Sequence, residues 1–171
     1  MIKLKNNVAY IVNRISEITG NPPVKKAFQK TVFLIEEKGV DLGFDYILHF
    51  YGPYCLELDR ETSILNTDGV IYFDYSGYGH KMSISNEYKN VESKSLAPEQ
   101  IQTIQEVISR YKDKTPSDLE LLTTAIYAYD HTGAKTRDAV IENVKKIKGR
   151  KYNDNEIAGA LGEFSYFGIT I

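Results

Sequence analysis

The stretch from Val24 to Gly69 leaves this chain few ways to fold. Val24, Ala27, Phe28, Thr31, Val32 and Ile35 fall at i, i+3, i+4, i+7, i+8 and i+11, which places them on one helical face running to Gly39. The β-branched and aromatic run Phe44–Tyr51 follows and predicts a short strand. Gly52-Pro53 should stop that strand, with Pro53 seated in the first turn of a helix over Tyr54–Asn66, where its missing N–H has no intrahelical partner. Leu58, Thr62 and Leu65 make the inward stripe of that helix, which ends near Asp68-Gly69.

On either side the pattern is also regular. Val8, Ile11, Val12, Ile15 and Ile18 form a helical stripe closed by Gly20, and Asn21-Pro22-Pro23 is a turn. Two β-type runs, VIYFDY and HKMSIS, flank Ser76-Gly77-Tyr78-Gly79 and predict a hairpin. Residues 86–97 are polar and aperiodic and make the best internal boundary. Pro98 then opens a helix with Ile101, Ile104, Ile108 and Tyr111 inward. Thr115-Pro116-Ser117-Asp118 is a start signal for a helix with Leu119, Leu122, Ile126 and Tyr129 inward. A helix over Thr136–Lys148, closed by Gly149, and another opened by Asn153-Asp154-Asn155-Glu156 complete the chain.

The expected fold class is therefore α+β and mainly helical. A winged-helix-like unit over 1–86, with the hairpin as its wing, is followed by a helical part over 97–171 containing about four helices, the two expected to pack as one compact domain. At 171 residues, 42% hydrophobic and 26% charged, the chain has an ordinary globular balance and room for a core. A net charge of −2 gives no global attraction to nucleic acid or anionic lipid. No apolar run reaches the ~20 residues a membrane span needs, and the N-terminus lacks a signal peptide's apolar core. A single cysteine forms no internal disulfide, so a reducing cytoplasm is expected.

Lys26, Lys30 and Phe33, then His49-Phe50-Tyr51-Gly52-Pro53-Tyr54, Leu58 and Gly69, carry a family resemblance. The sequence resembles the YwgA-type proteins and, more loosely, the SocA-like antitoxins that share the Panacea module. Ala27-Phe28-Gln29-Lys30 matches the family's KL-Q-K-hydrophobic helix, Tyr51-Gly52-Pro53-Tyr54 its Y-G-P-Y/F strand end, and Gly69-Val70-Ile71 its G-x-I strand. Ser117 to Ala125 is similar to its D-L-E-x-x-A-T helix start, and Val144 to Leu161 to its closing helices. Cys55 stands where many relatives have Ser, and Thr124-Ala125 reverses the usual order. The resemblance implies an interaction protein, of a kind that neutralises a toxin or serves as a protease adaptor, and carries no catalytic residues with it.

On the third helix Glu57, Asp59 and Glu61 outnumber Arg60, so a phosphate backbone would be repelled. The Lys145-Lys146-Ile147-Lys148-Gly149-Arg150-Lys151 run holds five cations in seven residues; Lys145, Lys146, Lys148, Arg150 and Lys151 are candidate phosphate contacts, although cations at a helix C-terminus also complement its dipole. Cys55, in the first turn of a helix, could form a nucleophile–base pair with His49 or His80, against the plainer reading of a half-buried packing residue. His49, His80 and His131 lack metal-ligand spacing, and Gly77-Tyr78-Gly79 lacks the third glycine and helix of a nucleotide loop, so no cofactor or metal is expected. Thirteen Tyr and no Trp is a skewed aromatic set, and nine of the 20 Tyr and Phe residues fall between Phe44 and Tyr78. Tyr75 and Tyr78, outward at the wing, suit a protein interface.

These readings predict a non-enzymatic module that binds and restrains a partner protein, through Lys26 and Lys30, Glu57 and Arg60, and Tyr75 and Tyr78. The rival is a winged-helix DNA-binding regulator using the basic run and the N-terminal lysines.

Overall fold

The structure, a computed structural model, describes residues 3–171. These form an α+β, mainly helical protein with seven α-helices and two antiparallel two-stranded hairpins. The helices are α1 (Asn7–Thr19), α2 (Lys25–Glu37), α3 (Leu56–Thr67), α4 (Pro98–Tyr111), α5 (Pro116–His131), α6 (Arg137–Lys148) and α7 (Asp154–Leu161). The strands are β1 (Ile47–His49), β2 (Gly52–Tyr54), β3 (Ile71–Asp74) and β4 (Lys81–Ile84). Two compact units divide the chain elsewhere than the expected 1–86 and 97–171. One takes the described residues up to Tyr46 together with Cys55–Asp113; the other takes Ile47–Tyr54 and Lys114–Ile171. Helix α4 thus belongs with the first unit, and a short hairpin from the middle of the chain belongs with the last three helices.

In the first unit, Asn6 caps α1 by accepting from the Ala9 N–H at 2.9 Å, and Gly20 ends it in the left-handed region. Val8, Ile11, Val12 and Ile15 are buried as the stripe predicts, as are Phe28, Val32 and Ile35 of α2, and Phe33, outside the predicted stripe, is buried too. The β3–β4 hairpin runs from Ile71↔Ile84 to Asp74↔Lys81. Its return strand is tied to the residues ahead of α2: the Lys25 N–H donates to the His80 carbonyl at 2.7 Å and the Met82 N–H to the Pro23 carbonyl at 2.9 Å. The hairpin is therefore tied to the start of α2 at the turn end of β4, where Gly79 lies against Val24, and Tyr75–Tyr78 stay exposed.

The predicted strand over Phe44–Tyr51 is much shorter, and the cause is a carboxylate. Glu36 Oε1 accepts the Leu42 and Phe44 N–H groups, each at 3.1 Å, which removes Phe44 from any strand ladder. Tyr46 packs edge-on against Phe33 at 5.1 Å between centroids. Burial raises the Glu36 pKa against the lowering effect of these amides, and burial together with the Glu36 charge pushes the Tyr46 hydroxyl strongly up.

Gly52-Pro53 does not end the strand but forms the return arm of a hairpin, paired Ile47↔Tyr54, Leu48↔Pro53 and His49↔Gly52. The pair closing a two-residue turn is hydrogen-bonded and the next is not, so Pro53 opposite Leu48 removes no rung. Tyr54 accordingly lies in β2, and α3 begins at Leu56 with Cys55 as its N-cap.

Helix α5 is the centre of the second unit, covered by β2, α6 and α7. Thr115 and Asp118 form the predicted reciprocal cap, which holds the Asp118 pKa below its usual range through hydrogen bonds from Thr115. Leu119, Leu122 and Ile126 are buried as expected and Tyr129 is half-buried. Glu120, Leu121, Thr123, Thr124, Ala125 and Ala128 are buried too, so α5 is enclosed on nearly every side rather than along one stripe.

Gly52 meets α5 directly. Its φ is +88°, and a Cβ there would lie 2.9 Å from Thr124 Oγ1. That hydroxyl is buried and has no hydrogen-bond partner among the described residues. Gly52→Ala should destabilise the protein by about 1–3 kcal/mol, because it combines backbone strain with overpacking. Chemical denaturation measures this; an unchanged midpoint would mean the hairpin is not seated on α5 as described.

Candidate functional site

The first unit presents α3 and the β3–β4 hairpin. Leu58, Thr62 and Leu65 of α3 are buried, as predicted. The opposite stripe, Leu56, Arg60, Ser63, Ile64 and Thr67, is exposed, with Leu56 at 53% and Ile64 at 59%. Tyr72 and Tyr75 of the hairpin are largely exposed, and Tyr78 at its tip is completely so. Glu57 and Arg60 are exposed as the sequence placed them, and Glu61 is half-buried.

The lysine face on α2 requires correction. Lys30 is only 2% exposed and is part of the interior, so it offers no partner contact, and Lys26 is half-buried. The lysine that does reach α3 is Lys25. Its Nζ lies 2.8 Å from Asp59 Oδ1 and 4.9 Å from the centre of the Phe73 ring. It ties α2 to both α3 and β3, and it neutralises one of the three acids counted on α3.

The matching Gln29 has a clear physical role. Its side chain is buried and its Nε2 donates to the Cys55 carbonyl at 2.9 Å, while its Oε1 accepts from the Cys55 N–H at 2.9 Å. The amide therefore replaces a strand partner for the residue that opens α3. Cys55 is 2% exposed, and its Sγ accepts from the Leu58 N–H at 3.4 Å. Each histidine instead has an aromatic neighbour: His49 lies 5.2 Å from Tyr54, His80 lies 4.4 Å from Tyr75, and His131 stacks on Tyr127 at 4.0 Å.

The second unit contains an ionic cluster that was not singled out from sequence. Glu120 is 1% exposed, and its Oε1 lies 2.7 Å from Lys148 Nζ and 2.8 Å from Lys151 Nζ. Lys148 also donates to the Phe50 carbonyl at the hairpin turn, at 2.8 Å. Its side chain is 4% exposed, whereas that of Lys151 is 41% exposed. Burial alone would raise the Glu120 pKa, but hydrogen bonds and charge from the two lysines outweigh it and hold the carboxyl below its usual range. The hydrogen bond to Glu120 in turn raises the Lys151 pKa.

The basic run is consequently dispersed. Gly149, at φ +60°, turns the chain after α6 so that Lys148 and Lys151 reach the same carboxylate. Lys145 pairs with Asp154 in the α7 N-terminal turn. Lys146 and Arg150 remain exposed. As a phosphate-contacting surface the run is corrected at Lys148, whose ammonium is buried against Glu120.

Among the described residues no group of three or more His, Cys, Asp or Glu side chains is arranged to hold a metal ion, and no helix is long and apolar enough to cross a membrane. Comparison with protein-family models and with curated proteins gives no significant match.

Proposed function

We propose that this protein is an interaction module, antitoxin-like or adaptor-like, that binds and restrains a partner protein through α3 and the tip of the β3–β4 hairpin. The observation that carries this reading is the set of uncovered large side chains on those two elements: Leu56, Ile64, Tyr72, Tyr75 and the fully exposed Tyr78. Rigid aromatics and aliphatics beside Glu57 and Arg60 match the anchor-and-rim composition of protein interfaces. The resemblance to YwgA-type and SocA-like proteins agrees with this assignment. A DNA-reading α3 is disfavoured, because its outward positions offer Arg60 as their one cation beside Glu57 and two exposed aliphatics.

With the partner in hand, Tyr78→Ala and Glu57→Lys should each weaken the complex by about tenfold or more while leaving the melting temperature unchanged. Isothermal titration calorimetry reads the first effect and circular dichroism the second. Full affinity in both variants would remove α3 and the hairpin tip from the interface.

A further inference from the structure

The second unit holds a groove of about 320 Å³ lined by Leu48, His49, Phe50, Ile147, Lys148 and Lys151. Its apolar wall is Leu48 and Ile147 with Phe50, which is 80% exposed. Its polar end is the lysine–glutamate cluster, where two ammonium groups share one carboxylate oxygen. The cluster therefore carries one positive charge in excess. The ammonium that opens to the groove is Lys151, since Lys148 is buried between Glu120 and the Phe50 carbonyl. Strand β1 borders the groove with all three of its residues exposed.

From this juxtaposition we propose that the groove takes the C-terminal residue of a peptide whose last side chain is large and apolar. A single carboxylate balances the single excess charge, and a charge-assisted bond from a half-exposed ammonium is among the stronger ones available. The volume is at the lower end for ligand sites and suits one terminal residue rather than a drug-sized molecule. Only a chain terminus places a carboxylate and an apolar side chain on the same residue. Asp and Glu side chains bring the charge without the apolar group, and a phosphate brings more charge and nothing for Leu48, Phe50 and Ile147 to contact. The exposed β1 offers an edge along which the preceding residues can lie. Lys151 anchors the carboxylate, and Phe50 closes over the side chain.

The groove belongs to the second unit and α3 and the β3–β4 hairpin to the first, and its occupant does not depend on their role. Fluorescence anisotropy with a labelled heptapeptide ending in Leu tests it, the free acid against the same peptide amidated. The free acid should bind about tenfold tighter or more. Lys151→Met should abolish that preference and Phe50→Ala should weaken binding of the free acid, while Tyr78→Ala should change neither. Phe50 is distant from the fold's interior by its exposure, so that variant reads the site without risk to folding. Equal binding of acid and amide would overturn the proposal, as would absence of binding by the folded wild type. Competition by octanoate as effective as that of unlabelled peptide would also overturn it, because a fatty acid would then be the occupant.

Discussion

Glu120→Ala should destabilise the second unit by about 3–5 kcal/mol, the cost of leaving a buried charge without its partner. The group left behind is Lys148, whose side chain is 4% exposed and also donates to the Phe50 carbonyl. Lys151 adds little, because at 41% exposure its ammonium can turn to water. The double variant Glu120→Leu with Lys148→Met should recover much of the loss, since it removes both charges and keeps the volume filled. Denaturant titration of the two variants measures this. A Glu120→Ala protein as stable as wild type would show that the cluster is not buried as described.

The same carboxylate sets a pH dependence with a definite sign. Its folded pKa is depressed, so its contribution is complete above the unfolded glutamate value of about 4.3 and is lost as pH falls through the folded value. The stability gap between wild type and Glu120→Gln should therefore be widest near neutrality and start to narrow only once the pH falls below the unfolded value of about 4.3. Glu36 works in the opposite direction. Its pKa is raised, so its ionised form costs stability, and protonation on lowering the pH relieves that cost.

Gln29→Ala should cost about 2–5 kcal/mol, because both the N–H and the carbonyl of Cys55 lose their buried partner at once. The intrinsic helix preference of alanine offsets only a few tenths of this. Gln29→Glu separates hydrogen bonding from packing: it keeps the acceptor for the Cys55 N–H but loses the donor to the carbonyl, so it should also destabilise. Cys55→Ser, which leaves the backbone clasp intact, should be far milder. Chemical denaturation of the three variants gives the order, and a Gln29→Ala protein no weaker than Cys55→Ser would contradict the role assigned to the clasp.

Several elements were legible because local signals and tertiary demands agree. Gly20 and Gly149 ended helices, Pro98 opened one, and the Thr115–Asp118 and Asn153–Glu156 pairs made the caps their sequences specify. The segment over 44–54 was misread for reasons that lie far away in sequence. Glu36 takes the amide of Phe44, and Thr124 sits beneath Gly52, so a glycine that looked like a stop is a contact point. Lys30 was misplaced because a lysine at a helical position is ordinarily outward, and here it is interior.

The ionic cluster was hidden for a similar reason. Lys148 and Lys151 belonged to an evident basic run, but their partner is 28 residues upstream of the first, on a helix whose interior face looked wholly apolar. One signal was available. Glu120 stands between Leu119 and Leu121 in a helix with apolar or small residues on nearly every side, where an acid requires a cation. The exposed aromatics of the hairpin tip, by contrast, were legible at once, because a short glycine-rich turn keeps most of its flanking side chains' surface in solvent.

Affinity purification of the tagged protein from its own host, with protein and nucleic acid quantified in the eluate across a salt series, separates a protein partner from DNA. One stoichiometric protein partner should be recovered, retained as salt rises and lost in the Tyr78→Ala variant. Enriched DNA that falls away with salt at a log–log slope of about −0.9 per neutralised phosphate, with no protein partner, would contradict the interaction-module reading and favour a DNA-binding regulator.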